Sequence, residues 1–146
     1  MIVELTIECL GSNFKEADCS KIVEFDTTDS LEALYHLIIT AFEFDWDHMS
    51  MFFIGRTDNP YSHGNKVIYQ KGPDNFYGDK RNIGDYQMTL DELYPLPNGF
   101  KLFYHYDFGD DWVFPIKKSR KKPFAPVPGV TYPRVIEAIG DNPQQY

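Results

Sequence analysis

Residues 104–112 read Tyr-His-Tyr-Asp-Phe-Gly-Asp-Asp-Trp, and this run constrains the fold more tightly than any other part of the chain. It packs four aromatics and three carboxylates around one glycine within nine residues. Strands disfavour Asp, and turns disfavour Trp and Tyr. The run therefore has to join a strand, a turn and a second strand. Residues 100–107 are expected as the first strand, with Phe100, Leu102, Tyr104 and Tyr106 on one face. Residues 108–111 then reverse the chain, with Gly109 supplying a positive φ, and residues 112–116 return as the hairpin partner.

Other periodicities fill in around that hairpin. Val3, Leu5, Ile7 and Cys9 alternate with Glu4, Thr6 and Glu8, which predicts a half-buried strand over 2–10. A second strand over 21–26 pairs with it through a long connection. Asp29, with Glu32 three residues on, reads as a capping box. The helix it opens carries Leu31, Leu34, Tyr35, Ile38, Ala41 and Phe42 on one stripe. Residues 49–54 read as a third strand. Residues 55–87 form a long polar loop in which only 66–70 look extended. Thr89 and Glu92 cap a short helical turn that Pro95 and Pro97 stop. Four prolines make 123–133 an extended arm, and 134–139 are expected as a helical turn.

This order predicts one α+β domain over residues 1–146. The expected plan is a β-grasp (ubiquitin-like) mixed sheet packed by one main helix, with a long insertion at 55–87, an added C-terminal hairpin strand and a basic, proline-rich arm at 117–133.

Net charge is −8, so the general surface repels nucleic-acid phosphate and anionic membranes. Nucleic acid and membrane are accordingly not expected as partners. Lys117, Lys118, Arg120, Lys121 and Lys122 depart from that average. They read either as a solvated run balancing nearby acids or as a local contact for phosphate or an acidic partner. The two cysteines, Cys9 and Cys19, form no CxxC, and Glu4 and Glu8 interrupt the N-terminal apolar stretch. A reduced, cytoplasmic protein with structural thiols is expected, a disulfide between them being possible but not required.

The motif suggests two chemistries. Asp107, Asp110 and Asp111 could converge as oxygen ligands for a divalent cation, or could accept backbone N–H groups at a tight turn. Beside them in function could stand His48, in Trp46-Asp47-His48, as a base or ligand, or as a histidine packed at a helix end. Nucleophile elbows and phosphate-binding glycine loops are absent from the sequence. The surplus of Tyr and Phe suggests a partner-binding patch.

Trp46-Asp-His48-Met-Ser-Met-Phe52, Thr89-Leu90-x-Glu92-Leu93 and Tyr104-x-Tyr106-Asp107-Phe108-Gly109-Asp110-Asp111-Trp112 occur in that order. Together they resemble the plasmid Ri (PRiA-type) open-reading-frame-three-like family, also known as insertion-element passenger, TnpR-like proteins. The resemblance runs from the N-terminal strand to Pro133 and implies an α+β domain with no established activity. Relatives carry a His two residues after the Trp, where this chain has Phe114, and end in Pro-Pro-Glu-Asp, where it has Asn142-Pro143-Gln144-Gln145-Tyr146.

The resulting expectation is a non-enzymatic interaction module that presents the acidic–aromatic hairpin to a protein partner. Its binding residues would be Trp46, His48, Tyr104, Tyr106, Asp107, Asp110, Asp111 and Trp112, with no cofactor or metal and a monomeric or weakly dimeric state. The alternatives are a metal-dependent hydrolase or nuclease using His48 with Asp107, Asp110 and Asp111, or a mobile-element-associated nucleic-acid-binding accessory protein acting through residues 117–122.

Overall fold

The computed structural model describes residues 1–46, 48–72 and 83–146. Eight strands form one sheet: β1 (Ile2–Gly11), β2 (Glu16–Asp26), β3 (Ser50–Gly55), β4 (Lys66–Lys71), β5 (Ile83–Gly84), β6 (Lys101–Tyr106), β7 (Trp112–Lys118) and β8 (Arg134–Ile139). Two helices, α1 (Leu31–Ala41) and α2 (Leu90–Leu93), complete the described elements. The spatial order of the strands is β5-β4-β3-β6-β7-β1-β2-β8.

Every pairing in the sheet is antiparallel. That overturns the expected β-grasp plan, whose mixed sheet is organised by one main helix. The fold is instead a broad antiparallel sheet with two short helices. Alternation correctly predicts strands at β1, β6 and β7, but a period does not say which strand lies next to which. β1 lies antiparallel to β7, with Ile7 opposite Ile116. β8 replaces the helical turn expected at 134–139, since Val135 pairs with Val23 and Glu137 with Ile22 across the edge. All six β8 residues are exposed, so no amphipathic pattern announces this strand in the sequence.

Alternation sends side chains to two faces. The main core gathers Leu5, Ile7, Val23, Phe25, Tyr104, Tyr106, Trp112 and Phe114 under Leu34, Tyr35 and Ile38 of α1. A smaller cluster, Met51, Phe53, Phe103 and Val113 with Phe108 against it, lies on the opposite face. Cys9 faces Cys19 in register, and both are buried free thiols. Burial pushes the Cys9 thiol up to about 12.

The helix ends differ from expectation in one detail. Ser30, not Asp29, is the N-cap: its Oγ accepts from the Ala33 N–H at 3.2 Å, while Asp29 Oδ1 accepts from the Ser30 N–H. The backbone carbonyl of Asp29 is engaged with the N–H of Leu90, which places Asp29 outside the helix. Thr89 caps α2 as the sequence predicts, accepting from the Glu92 N–H at 3.2 Å. At the other end of α1, Glu43 adopts φ 60°, its N–H donates to Thr40 O and that of Phe44 to Ile39 O. This is a Schellman closure with glutamate where glycine is usual. It delivers Phe44 into the core, 4.9 Å from the Trp112 ring.

Candidate functional site

The Tyr104–Trp112 run is a hairpin, as the sequence predicts, but its carboxylates build the turn. Asp107 and Asp111, at φ 62° and 59°, hold the left-handed positions, and Gly109 has no positive φ. Asp tolerates this region because its short polar side chain can bond the local backbone. Asp107 Oδ1 accepts from the N–H groups of Gly109 (3.0 Å) and Asp110 (3.2 Å). The Asp111 N–H donates to Asp107 O at 2.6 Å, and the Asp107 N–H to Met49 O at 2.8 Å. A Cβ at Gly109 would sit 3.3 Å from Asp107 Oδ1, a tight contact that the carboxylate would have to relieve by a few tenths of an ångström.

Asp111 is the hub of a further set of contacts. Its Oδ1 accepts from Tyr61 Oη and lies 2.6 Å from His105 Nε2, and its Oδ2 accepts from Asn13 Nδ2 at 2.5 Å. The Asn13 N–H also donates to Asp110 O at 2.9 Å. His105 is buried and stacks on Phe108 at 4.7 Å. Burial holds His105 below the ordinary imidazole range, and the Asp111 carboxylate partly offsets that. Partial burial of its hydroxyl, with the Asp111 carboxylate beside it, pushes Tyr61 up to about 12 and keeps it a donor.

His48 approaches from the segment before β3. Its Nε2 lies 3.4 Å from Asp107 Oδ2 and 2.7 Å from Tyr146 Oη, with the ring edge-on to Tyr106. The C-terminal segment reaches this end by several bonds: Asn142 Nδ2 donates to Ala41 O, Lys15 Nζ to Gln144 O, and the Asp45 N–H to Gln145 Oε1. Tyr106 Oη donates to Asp45 O.

The predicted site residues thus separate. His48 and Asp107 meet, while Asp111 turns to His105 and Tyr61. Asp110 keeps a carboxylate without a hydrogen bond or ion pair among the described residues. Among those residues no group of three or more His, Cys, Asp or Glu is placed to hold a metal ion. Tyr104, Tyr106 and Trp112 are fully buried, and Trp46 packs on Tyr35 and His36 of α1 rather than on the turn. His105 Nδ1 and Trp112 Nε1 are buried without a partner among the described residues. Asn13 and Tyr61, which brace the turn, lie 98 and 50 residues from Asp111, and no spacing signal could have revealed them.

The sequence profile described as Plasmid pRiA4b ORF-3-like protein matches residues 9–145. The chain belongs to this family. The solved structure of the protein of unknown function MM3350 from Methanosarcina mazei Go1 shares the fold of this pRiA4b ORF-3-like protein. The TM-score is 0.65 at 20% identity, over 94% of this chain and 68% of that one. No curated protein matches the sequence. The pRiA4b ORF-3-like family is of unknown function, and neither match speaks of a resolvase. Phe114, where the resemblance implied a histidine, is buried 4.9 Å from Phe42 and 5.9 Å from Phe44. That departure therefore falls in the core rather than at a polar site. No helix among the described residues is long and apolar enough to cross a membrane.

Proposed function

We propose that this pRiA4b ORF-3-like protein is an interaction module whose protein-binding surface is the rim of the hairpin, with the hairpin itself as scaffold. The observation that carries this reading is two exposed aromatics on segments bonded into the same turn. Phe14 is 74% exposed and Tyr61 64% exposed. Tyr61 is held by its hydroxyl, which donates to Asp111 Oδ1 at 2.6 Å and to Phe108 O at 3.3 Å. Phe14 rides on a turn in which Ser12 Oγ accepts from the N–H groups of Phe14 and Lys15, and which Asn13 ties to Asp110 and Asp111. Exposed aromatics on pre-ordered backbone lose little entropy on binding, which is what interface anchors require. Asp110 adds a free carboxylate beside them, suited to a cationic side chain of the partner.

The test is site-specific photocrosslinking in cells, with a benzophenone amino acid at position 14 and a control at Val127, which is also exposed. The proposal expects one discrete adduct from position 14 that disappears in the Tyr61→Ala, Asp110→Lys background. Position 14 crosslinking no more than position 127 would reject it.

A further inference from the structure

The basic run divides in space. Alternation along β7 puts Lys117 on the face shared with Glu8 of β1, where its Nζ lies 3.0 Å from Glu8 Oε1. Past the strand end, Lys121 pairs with Glu4 Oε2 at 2.9 Å. These two charges are balanced locally, as a solvated run would be. Lys118 falls on the other face, its ammonium 5.2 Å from the Tyr94 ring centroid. Neither Lys118 nor Arg120 has a carboxylate partner among the described residues, and the same holds for Lys101 at the start of β6.

Lys118 and Arg120 rim one groove of about 410 Å³ at the end of the sheet opposite the hairpin, and Lys101 and the ion-paired Lys117, which alternation puts on the other face of the sheet, also border it. Leu102 and Ile116, from paired positions of β6 and β7, are buried beneath it, and its accessible apolar wall is the half-buried Tyr94, Leu96 and Phe100 from the segment after α2. No acidic side chain among the described residues lines it. An apolar wall excludes water and strengthens the field of cations at its edge. The volume lies within the range of small-molecule sites, which is roughly 300–1,000 Å³.

We infer that this groove binds a small organic phosphate. The apolar body would lie against Tyr94 and Leu96, above the buried Leu102 and Ile116, and the phosphate would sit between Lys118 and Arg120. A dianionic head suits clustered cations better than a carboxylate does. The protein's net charge of −8 repels a long polyanion approaching from any distance, which favours a small ligand over a nucleic-acid strand.

The experiment is a methyl-detected NMR titration with phenyl phosphate, adenosine monophosphate and inorganic phosphate in parallel. Phenyl phosphate should shift the Leu96, Leu102 and Ile116 methyls and bind at least about tenfold more tightly than inorganic phosphate. The exposed-site double variant Lys118→Glu, Arg120→Glu should keep the wild-type unfolding midpoint and lose at least about tenfold in affinity. Tighter binding of the nucleotide than of phenyl phosphate would mark the body as a nucleoside, and weaker binding would mark it as a simple aryl or alkyl group; both support the site. Unmoved methyls at millimolar ligand, equal affinity for inorganic phosphate, or unchanged binding by a folded double variant would each overturn it.

Discussion

At the hairpin end of the sheet, Asp107 and Asp111 are spent on neighbours: backbone N–H groups, His48, His105, Tyr61 and Asn13. At the opposite end, Lys118 and Arg120 border a partly apolar groove with no carboxylate among the described residues to meet them. The hairpin holds the most unusual sequence in the chain, buries both its strands' aromatics and uses Asp107 and Asp111 within the fold. The groove draws on an ordinary basic run and leaves charge unanswered. An unusual sequence therefore marks where the fold is most demanding, and an unmatched charge marks where a ligand has most to offer. The contrast can be attacked at several levels.

The largest effect is expected from Trp112→Ala. The ring is fully buried against Phe44, so its removal leaves a cavity in the main core and should cost about 3–5 kcal/mol in urea unfolding. The Lys118→Glu, Arg120→Glu pair should change the same measurement by less than about 0.5 kcal/mol. A mild Trp112→Ala would break the claim that the hairpin belongs to the core.

Asp111→Ala should come next, at about 2–3 kcal/mol, because it strands the buried His105 Nε2 and frees both bracing segments. Amide shifts at Asn13 and Tyr61 should move with it. Stability lost without movement at Asn13 and Tyr61 would mean that Asp111 acts only through His105.

A pH effect follows from His105. Its folded value lies below the ordinary value of about 6.5, so the unfolded chain takes up the proton first. Stability should fall as pH drops below about 6.5 and level off once the folded state also protonates. His105→Phe should flatten that part of the profile. An unchanged slope in His105→Phe would place the titration elsewhere.

Glu43→Gly should give the smallest change, a gain of up to about 1 kcal/mol, since glycine takes the left-handed C-terminal position of α1 without steric cost. It should leave the hairpin shifts untouched, apart from those near Phe44.

Much of the fold was legible one element at a time. Alternation revealed β1, β6 and β7, the apolar stripe revealed α1, and Thr89 with Glu92 revealed the cap of α2. The assembly was not legible, because period fixes a face and not a neighbour. β8 is the sharpest case: its six exposed residues become a strand only because β2 offers an edge. In the candidate site, the hairpin and its acids were readable, but Asn13, Tyr61 and Tyr146 were not. Their contacts arise from loops that converge at one end of the sheet after it has formed. The grouping of His48, Asp107, Asp110 and Asp111 failed for a related reason: alternation and two left-handed residues aim adjacent aspartates in different directions.

The central claim, that the Tyr104–Trp112 hairpin is internal scaffold, is tested most directly by amide hydrogen exchange at Asp107 and Asp111. Their N–H groups donate to Met49 O and Asp107 O. Both should exchange as slowly as the core amides of β6 and β7, through global unfolding alone. Exchange at the rate of an exposed turn would show a hairpin free to open, and would contradict the account.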